Sequence, residues 1–361
     1  MITRRIVARS AAAMAVLAIT ASAQAADWFP QPVNLTTADG KTTQVEYQAQ
    51  TKKASRNWKI CVSYPHMKDP FFLASDYGAV EEAKRLGVSV QVLDAGGYTQ
   101  LSNQISQIED CVAGGANAVV MVAIAADGMD NLLRSLKDKN IVVVDAINGV
   151  TSKDVSARVL TNPHDEAMRA GQYLAKKHPK GTPAVHVGWL PGPAGAGFVE
   201  AFNAGFHEGI KGSAVVVDET KYGDVGKEVQ GRLVEDMLQT HKDLDYVVGT
   251  AVMVEAAIPL LRARKLDKKV KLVSVYLTPG VYQALKSNRI EAAGVAPVVL
   301  TSRMQIDTAV RILEEGKNRE PVTTVNTLGK VYTPATVKEV DPLEVLAPAS
   351  FKPIFSFNGA K

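Results

Sequence analysis

Cysteine is almost absent from this 361-residue chain: Cys61 and Cys111 are the only two. They form no C-x-x-C pair, which excludes a thioredoxin-like redox motif. The six histidines, His66, His164, His178, His186, His207 and His241, are scattered, with no H-E-x-x-H and no Cys/His cluster, so no metal site is expected. A G-x-S-x-G elbow and a Gly-Lys-Ser/Thr phosphate loop are missing too, which removes two common catalytic designs. The nearest approach to a phosphate loop is Pro191-Gly192-Pro193-Ala194-Gly195-Ala196-Gly197. Its two prolines lack the N–H groups that a phosphate needs. It reads instead as a turn that brings backbone close to a solute bound in a cleft. Without a catalytic constellation, neither an enzyme nor a bound cofactor is expected.

Long hydrophobic runs and excess charge are also lacking. Ala11 to Ala21 is uncharged and moderately apolar, but too short to span a bilayer. Arg4, Arg5 and Arg9 precede it and Ala23-Gln24-Ala25 follows, the pattern of a secretory leader with an A-x-A cleavage site. Residues 1–25 are therefore expected to be a signal peptide, leaving a soluble product in the periplasm of a Gram-negative host. Thr3-Arg4-Arg5-Ile6-Val7 partly matches a twin-arginine signal, so both export routes stay open. No cysteine stands at the cleavage site to carry a lipid anchor. The formal charge of +4 includes the leader's three arginines and no leader acid, leaving about +1 for the rest. A near-neutral surface gives no case for nucleic acid or anionic membrane as partner.

Export gives the two cysteines a meaning. In an oxidising compartment a disulfide is expected, and Cys61 in a first strand and Cys111 at the end of a helix starting near Gln100 would lie in adjacent elements. The alternative is two buried free thiols.

What is present is a repeating α/β pattern. Trp58 to Ser63 reads as a buried strand, with Trp58 as a core residue. A helix follows Phe72 with Ala79, Ala83 and Leu86 on one stripe, closes at Gly87, and leads to a strand at Val88–Asp94. Further strands at Ala118–Val122 and Ile141–Val144 alternate with helical stretches. A second series runs through Ala184–Val187, Ala214–Val217, Tyr246–Val248 and Lys271–Val275, then Ala292–Val295 and a helix around Met304–Leu313. Strands separated by helices predict two doubly wound parallel α/β lobes. A length beyond the usual single core agrees. Residues 26–57 are polar and read as an extended arm, laid on the domain or partly free. The proline-rich residues 331–361 read as a surface wrap.

Ligands of such sheets bind beyond the carboxyl ends of the strands. The residues at those ends are Asp69, Phe71 and Phe72 after the first strand, Tyr98 after the second, Asp145 after the fourth, Trp189 in the second half and Tyr276 late in it. Phe71 and Phe72 follow Pro70 in what reads as an exposed loop. Rings and a few acids suit a cationic, zwitterionic or partly apolar solute, gripped by stacking and cation–π contacts.

Two α/β halves with Asp69-Pro70-Phe71-Phe72 resemble the type I periplasmic binding proteins, the ribose-binding-like group. The resemblance implies two lobes joined by three crossovers, here near Leu160, Pro297 and Thr327, that close on a ligand. The implied division is 58–159 with 298–326 as the first lobe, 160–297 with 327–345 as the second, and 346–361 as a tail. Trp58-Lys59-Ile60-Cys61, Tyr64-Pro65, Gly96-Gly97-Tyr98-Thr99-Gln100-Leu101, Gln107-Ile108-Glu109-Asp110-Cys111 and Gly249-Thr250-Ala251 resemble a narrower branch. That branch senses trimethylamine N-oxide and partners a membrane sensor kinase. The implied partners are a small ligand and a sensor kinase, or the permease of an ABC importer if the chain serves uptake. Phe72 stands where that branch has tryptophan, and Asn162-Pro163-His164 where it has a Pro-Trp motif. A weaker cage follows, so trimethylamine N-oxide is expected to bind weakly. Ala146, Tyr276 and Pro297 replace the polar clamps of the sugar binders, which argues against a sugar.

Overall fold

The computed structural model describes residues 28–316 and 322–359; the signal peptide expected at 1–25 lies outside the described residues. The chain opens with β1 (Gln31–Thr36) and β2 (Thr42–Tyr47), then β3 (Lys59–Tyr64), α1 (Pro70–Leu86), β4 (Ser89–Asp94), α2 (Leu101–Ala113), β5 (Ala118–Met121), α3 (Asp130–Asp138), β6 (Val142–Ala146) and β7 (Ala157–Leu160). It continues with α4 (Pro163–Lys177), β8 (Val185–Gly192), α5 (Gly197–Gly209), β9 (Val215–Tyr222), α6 (Lys227–Thr240), β10 (Tyr246–Gly249), α7 (Ala251–Ala263), β11 (Lys271–Ser274), α8 (Pro279–Lys286) and β12 (Ala292–Val295). It ends with α9 (Val298–Glu315), β13 (Thr324–Thr327), β14 (Lys330–Tyr332), α10 (Pro342–Val345) and β15 (Ser356–Phe357).

Two parallel-dominated sheets form. The first runs β15-β4-β3-β5-β6-β7-β13-β1-β2, the second β14-β12-β11-β10-β8-β9. The strands from β4 to β13 pair in parallel, as do those from β12 to β9. The buried runs Ile60–Tyr64, Ala118–Met121 and Val142–Ala146 are what parallel strands covered on both faces require. The fold is therefore α/β, with two lobes. The chain passes from sheet to sheet between β7 and α4, between β12 and α9, and between β13 and β14, and returns to the first sheet between β14 and β15.

Residues 28–57 differ from an arm laid on a finished domain. β1 and β2 form an antiparallel hairpin, and β1 pairs with β13 along Val33–Thr36, so the segment extends the first sheet. Val33 is buried, and Tyr47 donates to Asp307 Oδ2 at 2.7 Å. At the other edge β15 pairs antiparallel with β4. Both outer edges of the parallel array are thus covered by chain termini, which blunts them against pairing with other chains. Trp58 is not a core residue. It sits just before β3, half-buried, donating Nε1 to Glu314 and stacking under Arg56 at 3.6 Å. Cys61 in β3 and Cys111 in the last turn of α2 form a disulfide, with Cα atoms 6.5 Å apart. Among the described residues no helix is long and apolar enough to cross a membrane.

Candidate functional site

Asp69 begins the site. It caps α1, accepting from the Phe71 N–H at 2.9 Å, and Pro70 supplies the fixed φ that favours the first helical position. The cap starts the helix one residue before Phe71, so Phe71 and Phe72 lie in its first turn and not in a loop. Phe72 is 4% exposed, packed on Tyr64, His66 and Phe71 with ring centroids 5.2–5.5 Å away. Its buried position is a correction to the loop reading: one face is core and the other borders a cavity.

That cavity lies between the two sheets, at the carboxyl ends of their strands. The first lobe contributes Asp69, Phe71 and Phe72, then Tyr98 from the turn after β4, and Ile147 and Asn148 after β6. The first crossover contributes Thr161 and Pro163, and Glu166 follows in α4. The second lobe adds Phe198 and Phe202 of α5, Val225, and Tyr276 after β11. The space is about 40 Å³, room for about three or four waters. Ile147 holds φ at 59°, a costly value for a β-branched residue. Next to it, Asn148 donates to the Tyr98 hydroxyl at 3.1 Å and to the Ala123 carbonyl at 2.8 Å, fixing the Tyr98 ring.

Contacts across the cleft close it. Tyr276 of the second lobe donates its hydroxyl proton to Asp69 Oδ2 of the first. Phe71 meets Tyr276 edge-on at 5.4 Å, and Tyr98 meets Phe198 at 5.4 Å. Gly205 and Gly209 in α5 let that helix lie against α4. A Cβ at either would fall within 2.0–2.2 Å of the His164 or Met168 carbonyl oxygen. This close approach brings Phe198 and Phe202 to the same cavity as Glu166.

Two site residues expected from sequence lie elsewhere. Trp189 is fully buried in the second lobe, stacked on Phe206 at 4.3 Å and donating Nε1 to Asn203; its ring is core and does not line the cavity. Asp145 is fully buried behind the cavity, accepting from the Val150 N–H at 3.0 Å and from Arg158 at 3.2 Å. It shapes the loop that carries Ile147 and Asn148. Asp69, Phe71, Phe72, Tyr98 and Tyr276 do come together. Phe198, Phe202 and Glu166 were missed. A signal existed for the rings: α5 follows a strand end in the second half, as α1 does in the first.

Both cavity carboxyls are perturbed. Burial pushes Asp69 up to about 6, against the pull of the Tyr276 and Phe71 hydrogen bonds. Burial pushes Glu166 up to about 8, against hydrogen bonds from Thr161 and the Asn162 backbone. Raised carboxyl values favour the protonated folded state. Their stabilising effect is complete below about pH 4, the unfolded carboxylate range, and is lost as pH rises through about 6 for Asp69 and about 8 for Glu166. The ligand-free protein should therefore melt at a lower temperature at pH 8.5 than at pH 5 in scanning calorimetry. A melting temperature that climbs steadily over that range would contradict the assignment. No group of three or more metal-ligating side chains occurs among the described residues.

Residues 60–318 match the family described as periplasmic binding protein domain. Periplasmic protein TorT of Escherichia coli K12 is 32% identical over 307 residues, which covers 85% of this chain and 86% of TorT. A crystal structure of an ABC transporter solute-binding protein from Bradyrhizobium sp. BTAi1 with bound bis-tris is 48% identical, at a TM-score of 0.77 over 91% of this chain and 99% of that one. The TorS sensor domain–TorT complex in the presence of trimethylamine N-oxide matches with 32% identity and a TM-score of 0.74, over 83% of this chain and all of that one. With this match along most of its length, and with its two α/β lobes around a closed cleft, the chain belongs to the periplasmic binding proteins, a family of binding proteins and not of enzymes.

Proposed function

We propose that the chain is a periplasmic solute receptor of the TorT type, exported by its leader, which encloses a small organic solute between its lobes and presents the closed state to a membrane sensor kinase. The observation that carries the binding half is the aromatic cavity walled from both lobes and latched by Asp69 and Tyr276. A ligand touching both walls favours the closed arrangement by its differential contacts, which is how occupancy becomes a shape. The proposed contacts are Asp69, Phe71, Phe72, Tyr98, Glu166, Phe198, Phe202 and Tyr276. The kinase half draws support from the 85% of the chain that aligns with TorT, a protein seen in complex with the TorS sensor domain.

A second reading, the binding subunit of an ABC importer, is favoured by the 48% identity to a protein described as a transporter's solute-binding component. The bis-tris bound there is a hydroxylated tertiary amine, too large for this cavity in its closed form, so such a ligand would need the lobes to part.

A thermal-shift screen over methylated amines, amine oxides, betaines, polyols and pentoses tests the binding half. A ligand at 100 times its dissociation constant should stabilise the protein by about 2.7 kcal/mol. Silence across all classes would contradict a solute receptor. Capture of a kinase sensor domain by the purified protein would support signalling, and capture of a permease would support uptake.

A further inference from the structure

We propose that the solute is a small protonated amine, with its N–H aimed at Glu166 and its alkyl groups held by rings of both lobes. This rests on the receptor reading above and specifies the ligand's charge. The first support is an orphan acceptor. Glu166 is 5% exposed, lines the cavity, and its Oε1 has no hydrogen-bond partner. A buried carboxyl oxygen with no partner is costly, and a ligand N–H⁺ would supply the missing donor and the countercharge that the ionised form needs. The second is the make-up of the wall. Its two carboxyl groups, Asp69 and Glu166, face six aromatic rings and no lysine or arginine. A cation over ring faces is attracted by their quadrupoles, whereas an anion would meet two acids. The third is size. About 40 Å³ suits an ammonium with methyl-sized substituents better than a pentose.

The surroundings of Glu166 leave it without a resident counterion. Asp165 on its own helix is acidic and its charge pushes Glu166 further up. Arg169, also in α4, lies 4.0 Å from Asp165. Across the cavity stand Asp69, Tyr98 and Tyr276. Glu200, His207 and Glu208 of α5 and Lys330 of β14, the elements packed against α4, are solvent-exposed. His66, behind Phe72 and Tyr98, has its value lowered by burial and carries no charge at neutral pH. An empty site therefore holds Glu166 protonated at neutral pH, and a cation must displace that proton. Asp69 repeats the effect only nearer pH 6.

The test is calorimetric titration of the full protein with trimethylammonium chloride, tert-butyl alcohol and trimethylamine N-oxide from pH 6 to 8.5. Trimethylammonium should bind most tightly, with affinity rising about tenfold per pH unit below pH 8 and then levelling. In Glu166→Gln its advantage over tert-butyl alcohol should fall at least tenfold and the pH slope should flatten. Should that variant fold poorly, the wild-type slope decides alone. Equal binding of trimethylammonium and tert-butyl alcohol would overturn the proposal and leave the receptor reading intact. So would trimethylamine N-oxide as the tightest ligand with affinity falling as pH rises, since Glu166 would then be a neutral donor. A pentose or polyol as the tightest ligand in the thermal-shift screen would have the same effect. No binding by any solute in either experiment would overturn both readings.

Discussion

Phe72→Ala should destabilise the ligand-free protein by about 3 kcal/mol or more, the usual cost of removing a buried phenylalanine, and should weaken solute binding at least tenfold, about 1.4 kcal/mol. The two losses share one cause. Phe72 is a first-turn residue of α1, 4% exposed, with Tyr64 and His66 on its inner side and the cavity on its outer side. Truncation opens a void that joins the cavity to the core of the first lobe. The contrast is Phe202→Ala. Phe202 is also buried and lines the cavity, but in the second lobe, so its loss should reduce affinity without loosening the first lobe. Chemical unfolding and titration of both variants provide the check. A Phe72→Ala protein as stable as wild type would mean that the ring is free to leave its place, as the loop reading implied.

The fate of Phe72 shows where sequence was sufficient and where it was not. Period and run length revealed the parallel strands, because a strand buried on both faces must be apolar throughout, as Val142–Ala146 is. The same rule was silent about β1 and β2, whose outer faces are polar. Asp39-Gly40 between two alternating runs is a turn signal for their hairpin that the reading of a polar arm does not use. Side-chain direction was harder still. Trp189 and Phe198 stand near the same strand end, yet β8 turns Trp189 into the helix layer, where it stacks on Phe206, while α5 turns Phe198 to the cleft. Glu166 was illegible for another reason. It stands in the first turn of a helix that follows a crossover, and its burial is decided by tertiary packing, with Gly329 of a distant crossover beside its side chain.

Removing the disulfide should have the second large effect. Cys61→Ala with Cys111→Ala, or reduction of the wild type, should cost about 4 kcal/mol, because the bridge closes a loop of 50 residues and restricts the unfolded chain. The bond ties β3, which leads into Asp69 and the ring pair, to the end of α2. The affected unit is therefore the first lobe, and guanidinium unfolding should show its transition moving to lower denaturant. Reduction that leaves the transition in place would contradict this. So would two alkylatable thiols in freshly purified protein.

The central claim is that the solute sits between the lobes, enclosed by rings from both. The most direct measurement is a crystal structure of the protein grown with trimethylammonium. The account predicts density for the cation in the space between Phe72 and Phe198, with its nitrogen within hydrogen-bond reach of Glu166 Oε1 and the Tyr276–Asp69 contact retained. An ordered solute elsewhere, for example in the open groove beside Tyr173 and Lys271, with the cavity between the lobes left empty, would contradict it.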